Sequence, residues 1–219
     1  HCPVTRQPLS QGRQLPPHGA PQDCVVSRLC DDAGYAAGHL AMLSLAADLA
    51  KADHSWDEVR AKVQAVGRAA RREAQARDLQ AKLDAEWSAV QKRVASSAKP
   101  KPRALFILSH SASPQVSGQG TAADALIRFA GGVNTITGFQ GYRPMTAEAM
   151  AAAAPEFILT SQQSIDAHGG LDKFWQRPEL ALTPAYGRRA LVTLDALLLL
   201  GFGPRLPQAV REVHDKFNA

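Results

Sequence analysis

A chain of 219 residues that is 45% hydrophobic and 21% charged belongs among ordinary soluble globular proteins and can bury the core of one large or two small domains. No apolar run approaches the roughly 18–20 residues of a membrane span. The formal charge of +5 favours anionic partners, but basic residues are interleaved with acidic ones, as in GRAARREAQARD (67–78); the clustered footprint of a nucleic-acid protein is weak.

The first 54 residues are the least patterned. The chain opens on His1 without a basic-then-apolar leader, which predicts a processed product or a fragment. Pro3, Pro8, Pro16, Pro17 and Pro21 fall in a stretch without apolar period, so loop or disorder is expected through Cys30. Only Leu40–Leu49 (LAMLSLAADL) reads as a helix. Cys2, Cys24 and Cys30 are the only cysteines; an odd number leaves at least one thiol unpaired within the chain, and a Cys24–Cys30 bridge stays open. His1, His18 and His39 lie nearby, but no cysteine pair has the short spacing of a structural zinc site, so no metal centre is expected there.

From Ser55 the pattern sharpens. Ser55 with Glu58 three residues on is a capping box, and Trp56, Val59, Val63 and Val66 recur at helical spacing. Gly67 is expected to break or bend this helix. Ala76, Leu79, Leu83, Trp87, Val90 and Val94 share one side of a second helix, and Glu73–Ala95 alone would span roughly 35 Å at about 1.5 Å per residue. SSAKPKPR (96–103) ends it.

Ala104–Leu108 is apolar throughout, as in a central strand covered on both faces, and its carboxyl end delivers Ser109, His110 and Ser111 to the edge where open α/β sheets bind ligands. Gly118 and Gly120 would let the backbone pass close to a ligand, Thr121 caps a helix over Ala122–Ala130, and Gly131–Gly132 end it. The dinucleotide fingerprint is absent, since Ala122 and Ala123 stand where its last glycine belongs. In GFQGYRPMTAEAM (138–150), Thr146 caps a further helix that Pro155 stops, with Glu148 in its first turn. Strands over Phe157–Thr160 and Ala190–Leu194, a short helix at Leu171–Trp175 and a terminal helix complete the pattern. Three strands alternating with helices make one α/β lobe.

TAADALIRFAGGVN (121–134), GYRPMTAEAMAAAAPEFILT (141–160), LTPA (182–185) and DALLLLGFGPRLPQAV (195–210) resemble the carboxyl half of the periplasmic haem-binding proteins of bacterial ABC haem importers, class III binding proteins with two lobes joined by a long helix. The resemblance runs from about Asp53 to the C-terminus. It implies an α/β fold with a Rossmann-like C-terminal lobe, a long connecting helix ahead of it, and an incomplete first lobe. The corresponding division is an irregular segment at 1–54, a helical hairpin and connecting helix at 55–100, and a substrate-binding lobe at 101–219. The function implied is periplasmic transport, not catalysis. Haem is the carried ligand, the inner-membrane ABC permease receives it, and an outer-membrane haem uptake system acts upstream. Neither nucleic acid nor catalytic residues are implied, and an exposed cleft face raises a homodimer.

The resemblance also supplies candidate residues. The family's first lobe provides an axial tyrosine, for which Tyr35 in GYAAGHLAMLSLAADL (34–49) is the only faint counterpart. His110 is a candidate axial ligand, as a neutral imidazole after the central strand. Tyr142 occupies the symmetric position; phenolate ligates ferric haem, and a neighbouring Arg favours the charged form. Arg143, Arg188 and Arg189 are candidates for the planar propionates, and Met145 reads as packing. Glu148, by resemblance, presents a carboxylate to the permease. Two alternatives stand beside this. One is a cobalamin or ferric-siderophore carrier of the same fold. The other is a small Rossmann-like enzyme around Ser109, His110 and Asp124, for which no nucleophile elbow, P-loop or HExxH is present.

Overall fold

The computed structural model describes residues 24–28, 40–44, 54–108 and 115–219. Tyr35, His110 and the zinc-reading histidines His1, His18 and His39 lie outside the described residues. The chain divides into two compact units, His1–Leu79 and Gln80–Ala219, and the boundary falls inside the long helix.

In the first unit, two expectations are corrected. Cys24–Arg28 (β1) and Leu40–Ser44 (β2) are strands, paired antiparallel from Cys24↔Ser44 to Arg28↔Leu40. The loop expected through Cys30 therefore contains a strand, and the helix expected over Leu40–Leu49 begins as one. Val25 and Val26 favour extended backbone, and pairing between distant segments, which local periodicity does not record, outweighs the helical preference of Leu and Ala. Trp56–Ala69 (α1) starts as its capping box predicts: the Ser55 side chain accepts from the Glu58 N–H. Glu58 reaches back one residue further than the motif specifies and accepts from the His54 N–H at 2.8 Å. Gly67 does not break the helix. A Cβ at Gly67 would fall on the Cβ of Ala76, so this glycine lets α1 pack closely on the start of Glu73–Ala95 (α2).

The second unit is a mixed six-stranded sheet with helices on both faces. Its strands are Arg103–Leu108 (β3), Gln115–Ser117 (β4), Val133–Asn134 (β5), Tyr142–Pro144 (β6), Phe157–Ser161 (β7) and Leu191–Leu194 (β8). The order is β6-β4-β3-β7-β8, with β5 also pairing β3. Strands β3, β5, β7 and β8 run parallel, whereas β4 and β6 run antiparallel to their neighbours. The three long parallel strands are those the apolar runs predict. The three short ones are additions, because two or three residues carry no readable period.

Strand alternation sorts the core. On one face Leu105, Ile107 and Ile158 join Met150, Phe174, Trp175 and Leu180. On the other, Ala122–Phe129 (α3) packs with Ala196–Leu200 (α8) and Leu206–Asn218 (α9). The C-terminal half of α2 joins that layer through Trp87 edge-on to Phe129 at 5.0 Å and through Arg93 to Asp215 at 2.7 Å.

Candidate functional site

In parallel α/β sheets, ligand chemistry collects at the carboxyl ends of the strands. Here β7 ends on Ser161, whose side chain caps Gln162–Ala167 (α5) by accepting from Ser164 N–H. Strand β8 ends at Leu194, and Asp195 after it caps α8 by accepting from the N–H groups of Leu197 and Leu198. The hydrogen bond from Gln163 comes first in holding the Asp195 carboxyl below the usual range, and the two backbone donors add to it. This Asp was missed in the sequence; the signal was its place directly before an apolar run. The stretch after β3, including His110, lies outside the described residues.

Beside the carboxyl end of β3, the β4–β6 ribbon positions Tyr142 and Arg143. Tyr142 is opposite Ser117, and Arg143 is opposite Val116. The Tyr142 ring turns inward, edge-on to Phe106 at 6.4 Å. Its hydroxyl faces the Thr121 side chain and the Ala123 backbone; burial nevertheless pushes the phenol above the usual tyrosine range, outweighing both of those influences. The group therefore stays a phenol near neutral pH. Arg143 is exposed, its guanidinium 4.9 Å from the centre of the Phe139 ring, and Met145 packs against the core as expected.

A buried polar network fixes this ribbon. Asn134 donates to the Ser117 carbonyl at 3.2 Å, to the Gly118 carbonyl at 3.3 Å and to Asp124 Oδ1 at 3.0 Å, and it accepts from Ile136 N–H at 3.1 Å. Thr121 caps α3 by accepting from Asp124 N–H, and its hydroxyl meets that of Ser117. Asn134 was missed in the sequence; the one signal was an Asn, a poor strand former, in the GGVN run. The ligand-approach role expected for Gly118 is corrected. A Cβ there would collide with the Phe139 backbone and ring, so the space is filled by the protein itself. Gly120 has φ +70°, a conformation glycine adopts without strain.

Glu148 is fully exposed in the first turn of Ala147–Ala153 (α4), whose cap is Thr146. Hydrogen bonds from its own N–H and from Thr146 hold its carboxyl below the usual range.

The remaining arginines sit elsewhere. Arg188 pairs with Glu156 at 3.8 Å. Glu156 also accepts from Arg103 N–H at 2.9 Å, so this cluster lies at the amino ends of β3 and β7, opposite the ligand edge. Arg189 ends Pro184–Arg188 (α7), also before β8, with φ +51°. Its guanidinium lies over the rings of Tyr186 and Trp175, 4.6 and 5.2 Å from their centres. The structure thus gathers Tyr142 and Arg143 on one flank of the sheet and leaves Arg188 and Arg189 apart from them.

Residues 45–198 match the family model described as periplasmic binding protein. The chain belongs to this family. Its α/β fold is the family's, and its fold matches solved members. One is the periplasmic heme-binding protein BhuT in complex with two hemes, at 42% identity and TM-score 0.71, covering 75% of this chain and 63% of that one. Another is the periplasmic heme-binding protein RhuT from Roseiflexus sp. RS-1 in apo form, at 32% identity and TM-score 0.69, covering 74% and 64%. The heme-binding protein HutB of Vibrio cholerae, at 24% identity and TM-score 0.68 over 77% and 66%, adds the fold alone. The chain spans less than two thirds of the length of BhuT and of RhuT. No curated protein matches it. Among the described residues no helix is long and apolar enough to cross a membrane, and no group of three or more metal-ligating side chains forms.

Proposed function

We propose that this chain forms the connecting helix and second lobe of a haem carrier, which works in the periplasm and hands haem to an inner-membrane ABC permease. The observation that carries the reading is the 42% identity to a protein solved with two hemes, extending over three quarters of the chain. Haem would sit against the carboxyl end of β3, beside the β4–β6 ribbon. His110, two residues past β3, is the proposed axial ligand, since a neutral imidazole binds haem iron without losing a proton. Arg143, exposed beside that edge, would receive a propionate in its planar fork. Tyr142 supports the site from behind: its raised pKa and inward ring suit a phenol that packs, not a phenolate on iron.

Haemin titration of the chain, followed at the Soret band, tests this. Saturable binding is expected, with cyanocobalamin and ferric siderophores giving none; saturation by cyanocobalamin alone would replace the cargo. Glu148 is the proposed contact with the permease, its exposed carboxylate matching a basic partner. Glu148→Ala should leave the haem spectrum intact and lower transport in a reconstituted importer, whereas equal loss of both would remove that role.

A further inference from the structure

A second feature of the lobe stands apart from the haem-facing flank. Along the edge strand β8 runs an open groove of about 800 Å³, floored by Leu191 and Thr193 and walled by α5 and Leu171–Trp175 (α6). Its wall is apolar where Ile165, Leu171 and Trp175 line it, and its charges have both signs. Arg189 stands at the amino end of β8, Asp172 is carried on α6, and Asp166, which accepts from Gln162 at 2.9 Å, is carried on α5. Arg189 lies over the Trp175 and Tyr186 rings, which leaves its in-plane N–H donors for a planar acceptor. Neither Arg189 nor Asp172 forms an ion pair among the described residues. One cation, carboxylates on α5 and α6 and an apolar wall complement a ligand that carries a carboxylate, an ammonium and apolar side chains.

We propose that this groove binds a short apolar peptide with free termini, its carboxylate on Arg189 and its ammonium toward Asp172. A single amino acid would leave most of about 800 Å³ empty, while a fatty acid would leave Asp172 unmatched. Because β8 is the last strand of the sheet, an extended peptide can also lie along a strand edge with no ladder partner among the described residues.

Calorimetric titration with trileucine tests the proposal, set against its C-terminal amide and its N-acetyl derivative. Wild type should bind free trileucine about threefold more tightly than either capped form, the loss of one ion pair at an exposed site. Arg189→Gln should abolish the preference for the free carboxylate alone, and Asp172→Asn the preference for the free amine alone. Equal affinity for all three peptides, or an unchanged carboxylate preference in Arg189→Gln, would overturn the assignment. So would octanoate binding as tightly as trileucine, or no heat at millimolar peptide. The comparison of capped and free peptides on wild type decides the matter even if a variant folds poorly. Trileucine affinity should be the same with haemin already bound; displacement would place haem in the groove instead.

Discussion

The two flanks of the second unit's sheet use polar residues in opposite ways. On the β4–β6 flank, Ser117, Thr121, Asp124 and Asn134 are buried, and all of them bond to one another or to nearby backbone. On the β8 flank, Arg189 is exposed and its guanidinium lies over two aromatic rings. The first arrangement gives rigidity, because a satisfied buried network admits one geometry and penalises any loss of a partner. The second gives availability, because an exposed guanidinium on a ring face keeps its donors for something outside the chain.

Asn134→Ala tests the rigid flank most severely. It removes two N–H donors that serve three acceptors, together with one acceptor, and leaves buried partners unsatisfied, which should cost about 3 kcal/mol. For a domain of this size that lowers the melting temperature by about 6–12 °C in a thermal scan. A change under about 2 °C would mean that water replaces the side chain without loss.

Tyr142→Phe is the intermediate case. Losing the hydroxyl beside Thr121 and Ala123 should cost about 1 kcal/mol near pH 7. The pH dependence carries a sign. Burial raises the folded pKa above the ordinary value of 10.0, so the folded state favours the phenol. That contribution is fully present below pH 10 and is lost as pH rises through the folded pKa. Denaturant midpoints followed from pH 8 upward should therefore fall in wild type and fall less in Tyr142→Phe. Parallel curves would show that Tyr142 is not the titrating group.

Arg189→Gln belongs at the small end. Stacking of an exposed cation on two rings is worth about 0.5–1 kcal/mol, so the midpoint should scarcely move. A loss as large as that of Asn134→Ala would erase the contrast between the flanks.

What the sequence revealed follows the same division between local and distant causes. The caps at Ser55, Thr121 and Thr146 were legible because each is a bond across three residues. The strands β3 and β7 were legible because covered parallel strands carry near-continuous apolar runs, and β8 because a short apolar run is readable even at the sheet's edge. The ribbon β1–β2 and the short strands β4, β5 and β6 depend on partners far along the chain, which no local window contains. The same reason hid the role of Gly118, whose neighbour is Phe139, and the separation of adjacent Arg188 and Arg189. One of that pair turns to Glu156 and the other to Trp175 and Tyr186. The resemblance reached the family through whole motifs such as GYRPMTAEAM, but a motif does not say that its tyrosine points inward.

We propose that haem iron is bound through His110 while the half-buried Tyr142 stays a phenol. Haemin titration of wild type, His110→Ala and Tyr142→Phe, read at the Soret band, measures it directly. His110→Ala should shift the band and weaken binding, while Tyr142→Phe should keep the wild-type band position. A band that moves in Tyr142→Phe and stays put in His110→Ala would contradict it.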